Sequence, residues 1–215
     1  IMRKPSRPLL MILGGAKIDS KLALIETFLE KADTILIGGG MSFTFLKARG
    51  KEVGGSLVDQ TMLSTAKNII NKARAKGVKL VFPDDVICGQ DLDDTIPKGP
   101  FKVSSIPVEL MGLDIGPVTI KKFMTELNAS KTVIWNGPLG VFEVQGYHVG
   151  SFKIAKHLAE LKNAGKTVII GGGDTAAVVN KYNLIEQMSH VSTGGGASLE
   201  LLSGKRLPAL ESLEA

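Results

Sequence analysis

Cysteine, histidine and aromatic side chains are scarce in this chain of 215 residues. Cys88 is its single cysteine. No intrachain disulfide can form, and a reducing compartment is expected. One cysteine and three scattered histidines (His148, His157 and His190) do not make a zinc cluster. Aromatic residues are 5% of the chain and do not alternate with basic ones, which argues against a base-stacking surface and for no nucleic-acid partner. No apolar run approaches the roughly 20 residues of a membrane span. The opening "IMRKPSRP" has no apolar stretch after its basic residues, unlike a secretory signal. A cytoplasmic monomer without membrane contact is expected.

Lysine and arginine (26) exceed aspartate and glutamate (21), giving a net charge of +5. The basic residues are spread over the helical segments, so the excess reads as a solvated surface or as service to a small anionic ligand. The chain begins at Ile1, and its basic, proline-containing start reads as a linker entered midway. The expected division is a linker remnant over 1–6, one α/β domain over 7–208 and a tail over 209–215.

What is abundant is a repeating unit. Short apolar runs rich in β-branched residues recur as "LLMIL" (9–13), "TILI" (34–37), "KLVF" (79–82), "TVIW" (132–135), "TVII" (167–170) and "SHVS" (189–192). Continuous apolarity predicts strands buried on both faces. Between them, 21–32, 62–77 and 151–165 carry apolar residues at helical spacing, and the last two end in basic residues and glycine. Alternating strands and helices predict a three-layer α/β/α Rossmann-like domain with a parallel sheet of about six strands. Residues 84–117 break the rhythm and read as a long irregular connection with a small strand at 101–104.

Glycines cluster where strands run into helices: Gly14 and Gly15, 38–40, 171–173, and 194–196. Tight turns alone would explain one such cluster. Several on one sheet edge suit a phosphate, because glycine lets a ligand approach the backbone and free helix amides attract anions. In "GGAKIDSK" (14–21), Lys17 and Lys21 fall at i and i+4, a spacing that would put like charges on one face of a helix start. A shared polyanion would resolve that conflict; two solvated lysines are the alternative. Asp174, beside the third cluster, suits either a helix N-cap or a Mg²⁺ ligand, and Thr175 either a turn or a phosphate donor.

Several nucleotide signatures are missing. "GGGDTA" (171–176) matches the dinucleotide pattern G-x-G-x-x-A, but the acid expected about 20 residues later is absent from "SHVSTGGG". There is no Walker-type G-x-x-x-x-G-K-[ST] and no protein-kinase motif set. An NAD-binding oxidoreductase domain and a non-catalytic nucleotide-binding module stay open beside a phosphotransferase.

The strings "ILGGAKIDSKLALI", "IGGGMSFTFLK", "MGLDIGP", "VIWNGPLGVFE", "IIGGGDTA" and "HVSTGGGASLELLSGK" together resemble the carboxyl-terminal domain of the phosphoglycerate kinase family, in that family's order. The resemblance runs from about Arg7 to about Pro208. It implies reversible phosphoryl transfer between 1,3-bisphosphoglycerate and Mg-ADP, giving 3-phosphoglycerate and Mg-ATP. In the family this domain binds the nucleotide, and an amino-terminal domain binds the phosphoglycerate. The implied reacting groups are Lys21 and Lys17 with the backbones of Gly172, Gly195 and Gly196. Gly172, Gly173, Asp174 and Thr175 would hold the nucleotide phosphates and Mg²⁺, with Asp174 as the metal ligand. Asn136 would reach phosphate and Glu143 the ribose. The adenine would lie near Gly15, Ala16, Gly40, Gly112, Leu113, Pro138 and Val141. Asp84, the segment 90–102 and the ending "RLPAL" depart from the family pattern. Without the other half, the chain is expected to bind nucleotide and turn over little.

Overall fold

The computed structural model describes residues 5–193. Within them the chain winds a six-stranded parallel sheet from β1 (Leu9–Leu13), β2 (Thr34–Ile37), β3 (Lys79–Val81), β7 (Thr132–Asn136), β8 (Thr167–Gly171) and β9 (His190–Ser192), in the order β3-β2-β1-β7-β8-β9. All six expected strands are present, within a residue of their expected ends. Their residues explain why. Leu9, Met11 and Leu13 pack into one apolar cluster while Leu10 and Ile12 pack into another on the opposite face. Leu9 to Leu13 are all buried, so β1 has no polar side and its backbone bonds must be met by neighbouring strands.

The helices divide between the two faces. Residues of α1 (Leu22–Leu29), α2 (Met41–Ala48) and α3 (Leu63–Ala75) fill the first cluster. Those of α4 (Pro117–Ala129), α5 (Val149–Asn163) and α6 (Gly173–Lys181) fill the second, around Trp135. This is the expected three-layer α/β/α Rossmann-like arrangement.

Residues 84–117 differ from the expectation. They hold three antiparallel strands, β4 (Asp85–Gly89), β5 (Lys98–Lys102) and β6 (Met111–Ile115), in a separate sheet ordered β5-β4-β6. Register shifts near Cys88 and an exposed, glycine- and proline-bearing β5 blur the alternation by which such strands are read. The sheet is tied to the body by Asp85, whose carboxylate accepts the N–H groups of Val118 (3.1 Å) and Thr119 (2.7 Å). Those are the second and third residues of α4, so β4 caps a helix that has no cap side chain of its own. Such a cap stabilises by about 1 kcal/mol.

Candidate functional site

The sheet order places its switch point between β1 and β7, from which successive parallel strands are added on opposite sides. Loops leaving that point diverge and open a crevice at the strands' carboxyl ends. The two central loops are locked together. Gly14 N–H donates to the Asn136 carbonyl and Gly15 N–H to the Pro138 carbonyl, each at 2.9 Å. A Cβ on Gly14 would lie 2.1 Å from the Pro138 oxygen, and one on Gly137 would lie 2.3 Å from the Gly14 oxygen. Gly137 also has φ +91°, so glycine is needed there on two counts. The start of α2 joins the same junction through Met41 N–H to the Gly15 carbonyl at 3.0 Å.

The crevice has a volume of about 250 Å³. It is lined by Gly15, Ala16 and Gly40, by Gly112 and Leu113 on β6, and by Pro138, Val141, Glu143 and Asp174. These nine expected residues, drawn from five parts of the chain, therefore meet in one place. Leu57 and Leu92, at 52% and 57% exposure, also line it. Sequence reading missed both, since a lone apolar residue in a loop has no periodicity; their unusual exposure beside a cleft is the signal. Asp114, buried in the β6 wall, was also missed, because the amide that marks its setting, Gly150 N–H, lies far along the chain.

A second group sits at the ends of β7 and β8. Lys21 Nζ donates to Asn136 Oδ1, and Asn136 Nδ2 donates to the Gly171 carbonyl at 2.7 Å. Asn136 is fully buried, so it stands behind Lys21 and steers the ammonium. Burial lowers the pKa of Lys21, and the negative charge of Asp174 partly opposes this.

The structure corrects the geometry expected for the two lysines. Residues Asp19–Lys21 tighten into a 3-10 turn and α1 begins only at Leu22, so Lys17 is an exposed loop residue. The pair does not share a helical face.

Gly172, not Asp174, is the N-cap of α6; it has φ +94°, and a Cβ there would lie 2.9 Å from Asn136 Nδ2. Asp174 is the second helical residue, exposed, and its carboxylate meets no hydrogen-bond donor among the described residues. The Thr175 hydroxyl is committed internally: it accepts from Gly137 N–H (2.6 Å) and donates to the Gly171 carbonyl (3.1 Å). What Thr175 can offer a ligand is its backbone N–H, alongside those of Gly173 and Asp174 in the open first turn. At the other end of α6, Lys181 Nζ donates to the Phe142 carbonyl at 2.7 Å, beside Glu143. Gly195 and Gly196 lie outside the described residues.

A glycine-walled apolar slot suits a planar ring, and the open amides of α6 with Lys21 suit an anion. No group of three or more metal-binding side chains occurs among the described residues. A single unengaged carboxylate fits a Mg²⁺ that arrives with phosphate oxygens better than one held in a protein cage.

Known proteins resemble this chain over nearly its whole length. The phosphoglycerate kinase family model matches residues 1–205. A phosphoglycerate kinase of Thermosynechococcus vestitus is 50% identical over 210 residues, covering 98% of this chain and 52% of its own. A cytosolic phosphoglycerate kinase of Nicotiana tabacum is 51% identical, with coverage of 98% and 52%. Among solved structures, the Coxiella burnetii phosphoglycerate kinase superposes with a TM-score of 0.91 at 38% identity, covering 98% of this chain and 54% of that one. The chain spans about half the length of the curated relatives it matches. It belongs to the phosphoglycerate kinase family.

Proposed function

We propose that the chain is the carboxyl-terminal, Mg-nucleotide-binding half of a phosphoglycerate kinase, working with an amino-terminal half that holds the phosphoglycerate. The observation that carries this reading is the meeting, at the switch point of the sheet, of a glycine-walled slot with Lys21 and the open first turn of α6. In the reaction the acyl-phosphate P–O bond of 1,3-bisphosphoglycerate breaks. Its phosphoryl group passes to a β-phosphate oxygen of ADP, and the carboxylate of 3-phosphoglycerate leaves.

Transfer of this kind asks the protein for position and charge more than for a covalent catalyst. Gly15, Ala16, Gly40, Gly112, Leu113, Pro138 and Val141 enclose the adenine, and Glu143 meets the ribose. The N–H groups of Gly173, Asp174 and Thr175 face the phosphates. Lys21, aimed by Asn136, carries charge to the transferring group, and Lys17 adds to the field from the rim. Gly172 brings the helix backbone close, and Gly195 and Gly196 would add further amides. Bound Mg²⁺ would neutralise phosphate charge, with Asp174 as its protein ligand.

Alone, the chain holds one reactant and loses the effective molarity that orienting both provides. Calorimetric titration with ADP should give saturable one-to-one binding strengthened by Mg²⁺, and the chain should form little ATP from 1,3-bisphosphoglycerate. Robust ATP formation by the chain, or folded protein that binds NAD and not ADP, would overturn the reading.

A further inference from the structure

Asp114 is 3% exposed and has no ion-pair partner among the described residues, an expensive place for a carboxylate. Two backbone amides meet it: Gly150 N–H at 2.7 Å and Ile115 N–H at 2.8 Å. Gly150 is the second residue of α5, so the carboxyl sits at the positive end of a 15-residue helix. Its packing is unusually tight. A Cβ on Gly150 or on Gly140 would each fall 2.3 Å from Asp114 Oδ1. Gly140 belongs to the loop 137–148, which brings Pro138, Val141 and Glu143 to the cleft. The same loop is fastened one residue away, by Val141 N–H to the Leu113 carbonyl at 2.8 Å.

We propose that Asp114 is a positioning residue for the nucleotide: through the Gly150 amide and the Gly140 backbone it sets the loop 137–148 against the cleft, and it makes nucleotide affinity depend on pH. The proposal rests on the nucleotide reading above. Burial raises the Asp114 pKa to about 8 despite the two amides, so the group changes charge near neutrality. Titratable groups on the surrounding elements are few. The loop carries Glu143, Tyr147 and His148; β4 carries Asp85 and Cys88. Lys153 and Lys156 on α5 are exposed. At the end of α6, Lys181 is engaged by Phe142, and Tyr182, whose hydroxyl has no hydrogen-bond partner among the described residues, has its ionisation pushed up by burial and then by Asp114. None supplies a counter-charge to Asp114. A polyanion in the cleft disfavours a second negative charge in its wall, so the complex holds the Asp114 proton more tightly than the free protein does. Affinity is then highest below pH 8 and falls above it.

The test compares the chain with Asp114→Asn and Asp114→Ala. Without nucleotide, the Gly150 and Val141 amide resonances should shift with a midpoint near pH 8 in the parent and not in Asp114→Asn. With Mg-ADP, the parent Kd should rise up to about tenfold more than that of Asp114→Asn between about pH 7 and 9. Loss of charge on Lys21 weakens binding in both proteins, so the difference is diagnostic. At pH 7, Asp114→Ala should weaken binding about tenfold and Asp114→Asn by less than about threefold. If Asp114→Ala does not fold, the isosteric amide carries the test. Gly150 and Val141 resonances with no midpoint between about pH 6 and 9.5, or coincident Kd profiles, would overturn the proposal. Failure of the parent to bind Mg-ADP at any pH would instead sink the nucleotide reading, and the amide titration alone would then judge whether Asp114 sets the loop.

Discussion

Lys21 and Asn136 are 115 residues apart in the chain and hydrogen-bonded to each other in the fold. The contact joins the connection after β1 to the end of β7, the two strands that flank the switch point. A half-buried ammonium is thereby held in one place by a fully buried amide that is itself fixed to Gly171.

Lys21→Ala, introduced into the complete two-domain enzyme, should cut turnover by at least about 100-fold and change the nucleotide Kd by less than about threefold. Asn136→Ala should produce a smaller fall, since the ammonium remains but is no longer aimed. Loss of nucleotide affinity with an undiminished rate per bound complex would make Lys21 a binding lysine only.

Asp174→Ala should weaken Mg-ADP far more than Mg-free ADP, by about tenfold or more in the ratio of the two affinities. Calorimetry with and without Mg²⁺ reads this directly. Equal weakening would mean that the carboxylate acts only through the field at the start of α6.

Gly137→Ala should lower stability to urea by at least about 2 kcal/mol, because the new methyl meets the Gly14 carbonyl in a left-handed backbone. Gly50 is the control: it too has positive φ, at +77°, but nothing lies within 4 Å of its Cβ position. Gly50→Ala should cost about 1 kcal/mol. Equal losses at the two positions would show that the two central loops are less tightly locked than the structure has them.

Stability itself should decline as pH rises from about 4 towards 8. Asp114 has its folded pKa raised above the ordinary value of 3.8, so across that window the folded chain binds the proton and the unfolded chain does not. The slope from this one group is at most about 1.4 kcal/mol per pH unit. Urea unfolding at several pH values should show Asp114→Asn with a flatter profile than the parent; parallel profiles would remove the carboxyl from the account.

Much of this was legible in the sequence because the parallel strands carry their own signal. Leu9 to Leu13 could be buried only on both faces, and the glycines after β1, β2 and β8 mark the edge where the proposed nucleotide site lies. Of the small sheet only the strand expected at 101–104, which overlaps β5, was legible: β5 is exposed and holds Gly99 and Pro100, and β4 slips register near Cys88, so neither shows a clean alternation. Local periodicity also misplaced Lys17, since a 3-10 turn takes up residues that a helix would have used. The hydroxyl of Thr175 and the carboxyl of Asp114 each accept from a backbone amide far along the chain, 38 and 36 positions away. Spacing along the chain does not reveal such partners.

Helix α6 has Asp174 in its first turn and Lys181 at its end, clasping the carbonyl next to Glu143. Nine residues of helix make a rod about 13 Å long. Its start is tied through the Thr175 hydroxyl to Gly137 and Gly171, and its end through Lys181 to Phe142. The proposed phosphate end and the proposed sugar end are therefore held at a fixed separation by one short helix.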